Sequence, residues 1–408
     1  MSTSGFRMRR IMSSPWTWVA IGALLRLAHI LSLGNRYYFG DTAEYESAAL
    51  RILHGIGMGN TVPRAPLYPL FMAFSFWLGG EGNFVATRLL KFVLALGLIV
   101  VVTRLAQRMG GRTAATLTAI GMAVAPTIVF VSGLLYPTTL YMLILALFTL
   151  VAWDVGERPT VRRGLALGAL FALGWLTDQV FLAPAGAILL WLLWRLRTHG
   201  TALARTLALA AITAAAVALP YLLMLEQQGN DRVFMRKAQT VLHSARTDPV
   251  LSRERWVKFP PDTPFEPLAP HAFLLREGRL FAEHPVAYTH DWLWEFLHFF
   301  RPVPDRVQSE NRYTQPLVLY VGGLYFLALL TLAILGLGFG QGPKRGRWLL
   351  AGAVLSTAVF YSFFFTQARY RIPIEPHLMV LAALGVQHAF PRVREALDPT
   401  DPSRDMNA

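Results

Sequence analysis

The chain has 408 residues, 54% of them apolar and only 15% charged, with a mean hydropathy of +0.42. Soluble domains carry about a quarter charged residues, so the composition describes a polytopic membrane protein, and the absence of cysteine excludes disulfides, thiolate metal sites and cysteine nucleophiles. Lys plus Arg outnumber Asp plus Glu by 38 to 24, a net charge of +14, but much of the excess lies in short links between apolar runs, where membrane orientation places it. That pattern does not imply nucleic acid. It suits an anionic bilayer or a phosphate-bearing lipid.

Arg7, Arg9 and Arg10 precede the first apolar run, Trp16 to Leu33, which predicts a cytoplasmic N-terminus and an outer surface reached at Phe39-Gly40-Asp41-Thr42-Ala43-Glu44-Tyr45. Asp41 opens a segment of helical character that runs through Ala48, Ala49, Leu50 and Ile52 to Gly55, a residue suited to a helix C-terminus. Two readings of its carboxylate stand side by side. It is parked where an enzyme acting on a lipid-linked substrate needs a base, and Asp41-x-x-Glu44 is also the spacing of a capping box. The next run, Leu67 to Gly79, is only 13 residues long and starts Pro66-Leu67-Tyr68-Pro69, which leaves re-entry and crossing both open, and the positive-inside rule decides for re-entry, since crossing would put the next arginines outside. The run from Phe84 to Val102 then returns inward and places Arg104, Arg108 and Arg112 in the cytoplasm.

The same rhythm continues through Ala114 to Val131, Leu140 to Trp153, Leu165 to Leu176, Phe181 to Trp194, Leu207 to Leu225, Leu317 to Phe339, Trp348 to Phe365 and Ile372 to Phe390. The expectation is an all-α bundle of ten spans with both termini cytoplasmic. It divides into an N-terminal membrane module (1–225) with its first outer loop at 34–83, a periplasmic segment (226–316), C-terminal spans (317–390) and a polar, disordered cytoplasmic tail (391–408). Within the periplasmic segment, His290 to Phe300 carries Trp292, Trp294, Phe296, Phe299 and Phe300 among charges, the composition of a helix lying either in the membrane interface or on the spans.

Several motifs carry little. Gly55-Ile56-Gly57-Met58-Gly59 lacks dinucleotide-cradle spacing, Gly164 and Gly168 have the spacing of close helix packing, and Glu295-x-x-His298 occurs once, where carboxylate-bridged metal centres need two such pairs. No metal or cofactor is expected. Asp178 lies in a short membrane hairpin, Thr177-Asp178-Gln179, and is a site candidate because an acid there is costly without water or a partner. Asp154 and His29 sit nearer span ends, where snorkelling or a backbone partner accounts for them.

Taken in order, Asp41-x-x-x-Tyr45 after the first span, Arg64-Ala65-Pro66-Leu67-Tyr68, and Arg369-Tyr370-Arg371-Ile372-Pro373-Ile374-Glu375-Pro376 before the last resemble the GT-C membrane glycosyltransferases. The branch resembled is the bacterial relatives of protein O-mannosyltransferases and lipid A aminoarabinose transferase. The resemblance implies a GT-C bundle of about ten transmembrane helices with outer-face juxtamembrane helices, and a bacterial inner-membrane enzyme whose site faces the periplasm. It implies Asp41 as catalytic base and Arg64 as a donor-phosphate ligand; Arg369 and Arg371, cations beside the last span whose guanidinium groups match phosphate oxygens, are added as donor-phosphate ligands, and Glu44, Tyr45, Tyr68, Asp178 and Tyr370 are the further substrate-site candidates. The implied partners are a polyprenyl-phosphate sugar donor, a lipid, glycan or protein acceptor, and membrane lipids. Two departures stand out: Ala65 replaces a proline, and Tyr136-Pro137-Thr138-Thr139 lacks an acid often found in the second outer loop.

The competing reading is a lipid or saccharide transporter or flippase, which would show charges or broken helices near the midplane and matched halves. Here the ionisable residues cluster outside the spans, favouring the transferase. Behind Arg64, Arg369 and Arg371, the next cations available for a leaving phosphate are Lys91 and Arg88.

Overall fold

The computed structural model describes residues 12–58, 64–198, 200–227, 233–249, 251–303 and 315–397, and all regular elements among them are helical. Arg7, Arg9 and Arg10 and residues 398–408 lie outside the described residues, and the first part of the tail expected to be disordered, Pro391–Leu397, is helical instead. The helices are α1 (Pro15–Leu33), α2 (Asp41–Leu53), α3 (Leu67–Gly79), α4 (Phe84–Val124), α5 (Pro126–Gly133), α6 (Thr138–Glu157), α7 (Val161–Thr177) and α8 (Leu182–Leu196). They continue with α9 (Gly200–Gln227), α10 (Val233–Thr247), α11 (Pro270–Glu283), α12 (Pro285–Phe299), α13 (Pro316–Phe339), α14 (Lys344–Ser362), α15 (Glu375–Ala389) and α16 (Pro391–Leu397). Helices satisfy their own backbone, which a lipid-facing chain requires. This is a multi-pass membrane protein.

Contacts give the direction of each helix. Thr116 Oγ1 donates to Ser13 O at 3.0 Å, Arg26 reaches Met122 O at 2.6 Å, and the His29 ring lies 3.3 Å from Phe130 O, so α1 runs parallel to the second half of α4 and to α5. Helix α4 is two arms. Gly110 (φ −137°, ψ 16°) and Gly111 (φ 73°, ψ −164°) leave helical geometry, and the second needs the freedom of glycine. The first arm is therefore antiparallel to the second, and Arg88 near its start donates to Gly133 O at the end of α5, 2.9 Å away. At that same end, Asn35 Nδ2 donates to Gly82 O (3.1 Å) and Asn35 Oδ1 accepts from Phe84 N (2.7 Å). The segment holding α2 and α3 thus leaves and rejoins the bundle at one end, and α3 does not carry the chain across.

Among the described residues, ten passes run along the bundle: α1, the two arms of α4 (the second continued by α5), α6, α7, α8, α9, α13, α14 and α15. Six candidate spans, with α4 counted once, meet the length and hydropathy a bilayer crossing needs. Helices α7, α14 and α15 do not, and α15 shows why: all but three of its 15 residues are buried, so neighbouring helices rather than lipid surround it. Its close crossing of α13 depends on glycine, since a Cβ at Gly336 would come within 1.8 Å of Leu381 O and one at Gly385 within 2.2 Å of Leu332 O. Gly168 plays the same part between α7 and α9, where a Cβ would meet Ala210 O at 2.1 Å.

At the α2–α3 end, α10 to α12 form a polar layer. Arg246 makes two bonds to Glu277 (3.1 and 2.8 Å), and buried Arg255 pairs with Glu295 at 3.1 Å. Asp291 accepts from the backbone of Trp256 (2.8 Å) and Val257 (3.0 Å). The aromatic helix is α12, and one side of it packs on the bundle: Asp291, Glu295, His298 and Phe299 are buried, with Phe299 stacked on Tyr361, while Leu293 and Leu297 are exposed. Glu295 is committed to Arg255 and to Thr366 N (2.8 Å).

Candidate active site

Helix α2 carries Asp41 to the rim of the bundle. Gly40 occupies the N-cap and Asp41 is the first helical residue, with no side-chain capping bond. The capping-box reading of Asp41 and Glu44 therefore does not hold. Both carboxylates turn to arginine instead: Glu44 accepts from Arg64 Nε (2.7 Å) and pairs closely with its Nη2, while Arg64 Nη2 lies 4.0 Å from Asp41 Oδ1. The Arg64 guanidinium also stands over the Tyr45 ring, 4.9 Å from its centroid. Burial disfavours charge on Arg64, yet Tyr45, Glu44 and Asp41 outweigh it and hold the guanidinium firmly protonated. Burial likewise pushes the Tyr45 hydroxyl above its usual range, with Arg64 pulling the other way. Tyr68 is buried behind it, edge-on to Tyr45 at 5.1 Å.

Two cations fix the floor. Arg88, fully buried, donates to Gly133 O, to Gly34 O (2.6 Å) and to Arg36 O; Lys91, also fully buried, donates to Leu134 O and to Tyr136 O (2.8 Å). These bonds tie the exit of α1 to the end of α5 and place Tyr136. Each charge is absorbed by carbonyl dipoles, so neither is an available phosphate ligand in this arrangement.

From the other side, the 3₁₀ turn Ala368–Ile374 before α15 delivers Arg369, whose Nη1 lies 3.4 Å from Asp41 Oδ2 across 328 residues of chain. Tyr370 stacks on Tyr361 at 4.6 Å with a 6° interplanar angle, which fixes the turn. Arg371 is committed to backbone carbonyls and a ring. Its Nη2 donates to Pro302 O at 2.9 Å, its Nη1 to Arg301 O, and its guanidinium lies on the Phe326 ring at 3.7 Å.

Between these elements lies a cavity of about 1200 Å³. Its mouth carries Asp41, Tyr45, Tyr136, Asp178, Gln367 and Arg369, and its wall is an apolar slot between α1, α5 and α13 that includes Leu25, Val129, Phe130, Val318 and Gly322. Tyr370 and Arg371 also line it; Glu44, Arg64 and Tyr68 stand behind the lining. Asp178 spends one oxygen on Val180 N (3.2 Å). Sequence reasoning missed Tyr136, Tyr141, Tyr361 and Gln367, which reach the cavity from apolar runs or links with no local signature. It also missed the buried Glu375, which accepts from Thr127 Oγ1 beside the cavity wall.

Residues 63–224 match the family described as dolichyl-phosphate-mannose-protein mannosyltransferase. In structure, the chain is similar to ArnT from Cupriavidus metallidurans bound to undecaprenyl phosphate, with a TM-score of 0.58 and 18% identity over 97% of this chain and 62% of that one. It is also similar to the archaeal oligosaccharyltransferase AglB from Archaeoglobus fulgidus in complex with an inhibitory peptide and a dolichol-phosphate, with a TM-score of 0.58 and 13% identity over 95% of this chain and 52% of that one. The chain has the GT-C fold. The fold expected from the order of its motifs holds. No curated protein matches the chain in a sequence comparison. The chain spans less than two thirds of the length of either GT-C structure.

Proposed function

We propose that this protein is an inverting glycosyltransferase of the bacterial inner membrane that moves a sugar from a polyprenyl-phosphate donor to an acceptor hydroxyl on the periplasmic side. The observation that carries the proposal is the loose Asp41–Arg369 pair, 3.4 Å apart and about two-fifths exposed on each side chain, at the mouth of a cavity with an apolar wall. A lipid-linked phosphate needs both features together: a slot for its hydrocarbon and a cation where the slot meets water.

In this reading the isoprenoid lies along α1, α5 and α13, and its phosphate takes the Arg369 guanidinium, displacing the weak contact to Asp41. Asp41, released, accepts the proton of the acceptor hydroxyl. The acceptor oxygen forms a bond to the anomeric carbon as the bond from that carbon to the phosphate oxygen breaks, and polyprenyl phosphate leaves with the bonding pair. Arg369 stabilises the charge that collects on it. Arg64 acts from behind, keeping Glu44 and Asp41 oriented and adding positive potential, and it meets the phosphate only if it exchanges Glu44 for it. Arg371 holds the Arg301–Pro302 backbone against the cavity. Tyr45, Tyr136, Asp178 and Tyr370 surround the space left for the sugar and acceptor.

Incubation of the purified protein with a panel of polyprenyl-phosphate sugars tests the proposal. Transfer or release of sugar with stoichiometric polyprenyl phosphate is expected. Movement of the intact lipid-linked sugar between leaflets of a vesicle, without cleavage, would instead support a flippase.

A further inference from the structure

At the end of the bundle away from the site lies a second, smaller concavity of about 310 Å³, lined by Met109, Gly110, Gly111, Arg112, Thr113, Gln341, Gly342, Gln387 and Arg394. Its centre is the reversal between the two arms of α4. Because Gly110 and Gly111 interrupt the helix, the second arm starts afresh at Arg112, and the first N–H groups of a restarted helix lack intrahelical partners and favour an anion. Two guanidinium groups flank that start. Arg112 is exposed, and Arg394 on α16 donates to Gln341 Oε1 at 2.8 Å.

A second observation is independent of the helix end. Gln387 is 96% buried; its Nε2 donates to Gly110 O at 3.1 Å, which fixes the amide, and its Oε1 has no hydrogen-bond partner. A buried carbonyl left without a donor is costly. A ligand here must therefore bring two things: an anion for the arginines and the helix start, and a hydroxyl or N–H for Gln387 Oε1. The surroundings supply a third requirement. Phe339, the last residue of α13, and Phe390, just after α15, are 65% and 54% exposed and lie within three residues in sequence of the lining residues Gln341 and Gln387, and Ile334 on α13 is exposed as well.

We propose that this concavity binds the headgroup of an anionic phospholipid whose phosphodiester bears a hydroxylated substituent, with its acyl chains lying against α13. The phosphate sits between Arg112 and Arg394 over the restarted helix, and a headgroup hydroxyl donates to Gln387 Oε1. Gly110 and Gly342 make the cradle possible, since a Cβ at Gly110 would strike Leu384 Cδ2 at 2.3 Å and one at Gly342 would meet Met109 O at 2.7 Å.

The test is a titration of the full-length, delipidated protein in detergent by native mass spectrometry. The probes are short-chain phosphatidylglycerol, phosphatidylmethanol, phosphatidylcholine and free glycerol phosphate. Phosphatidylmethanol keeps the charge of phosphatidylglycerol but lacks the hydroxyl, so the wild type is expected to prefer phosphatidylglycerol over it about three- to tenfold, the value of one hydrogen bond. Gln387→Met is expected to abolish that preference. Arg112→Gln and Arg394→Gln, both surface changes, are each expected to weaken phosphatidylglycerol binding about tenfold with thermal unfolding unchanged. Equal binding of phosphatidylglycerol and phosphatidylcholine, or arginine variants that bind like the wild type, would overturn the site. Free glycerol phosphate binding as tightly as the lipid would overturn the lipid assignment in favour of a soluble phosphate. Should Gln387→Met fail to fold, the lipid preferences of the wild type and the two arginine variants decide the matter.

Discussion

Two acid–arginine clusters at the same end of the molecule differ in how their charges are used. In the α10–α12 layer, Arg255 and Glu295 are 4% and 0% exposed and each is committed further, Glu295 to Thr366 N and Arg255 to Phe364 O. At the cavity mouth, Asp41 and Arg369 are 39% and 43% exposed and sit at 3.4 Å, the outer limit of a hydrogen bond. The first pair locks one helix layer onto the bundle; removing either partner would strand a buried charge. The second is held apart by the elements that carry it and is available to a third party. On the proposed function, an ion pair drawn from the same residue types is thus structural or reactive according to whether burial has already used up its hydrogen-bonding capacity.

The largest expected effect lies in the structural cluster. Glu295→Gln leaves Arg255 charged and buried beside a neutral amide, and breaking such a pair costs about 3–5 kcal/mol. Thermal unfolding in detergent should fall by many degrees. An unchanged melting temperature would show that the α12 layer does not depend on the pair, and the contrast would fail on its structural side. Next comes Arg369→Lys, which keeps the charge but loses the fork that matches phosphate oxygens; a charge-assisted bond is worth about 1.5–3 kcal/mol, so donor affinity should drop about tenfold or more with no change in melting. Snorkelling to headgroups would leave affinity untouched.

The smallest effect is expected at Glu44→Gln. Arg64 stays pinned over Tyr45 through its remaining contacts, so turnover should fall only a few-fold as Asp41 loses orientation. A loss as large as that of an Asp41 variant would move the base assignment to Glu44. Topology is checked separately, because the chain lacks cysteine. A single Arg108→Cys should resist an impermeant thiol reagent applied from the periplasmic side, since Arg108 lies at the far end of the bundle, paired with Asp154 at 3.7 Å.

Much of the fold was legible because membrane passes announce themselves by apolar length. The ten passes among the described residues, the non-crossing Leu67–Gly79 run and the turn at Thr177-Asp178-Gln179 all follow from that signal, although the two helices joined by that turn pack on other neighbours rather than on each other. Boundaries drifted where charge did not stop a helix: the arm from Phe84 runs through Arg104 and Arg108 to Gly110 because only the two glycines break it. The site was half legible. Asp41 and Arg64 sit in a polar loop between apolar runs, where an acid and a cation are conspicuous. That Arg369 would meet Asp41 could not be read from spacing, because the two are 328 positions apart; both were expected on the outer side, but nothing joined them. Tyr361 and Tyr141 sit inside apolar runs and look like core. The functions of Arg88 and Lys91 were hidden for a related reason: a cation buried on carbonyls and one aimed at a ligand have the same local sequence, and only the partners Gly133, Gly34 and Tyr136 tell them apart.

The central claim is that Asp41 accepts a proton during sugar transfer from a polyprenyl-phosphate donor. With whichever donor the wild type turns over, transfer should be measured for Asp41→Asn, which keeps shape and helix-start chemistry but cannot act as a base. The account predicts a fall of about 100-fold or more in turnover, with donor affinity and melting temperature retained. Turnover within a few-fold of wild type would contradict it and remove Asp41 from the reaction.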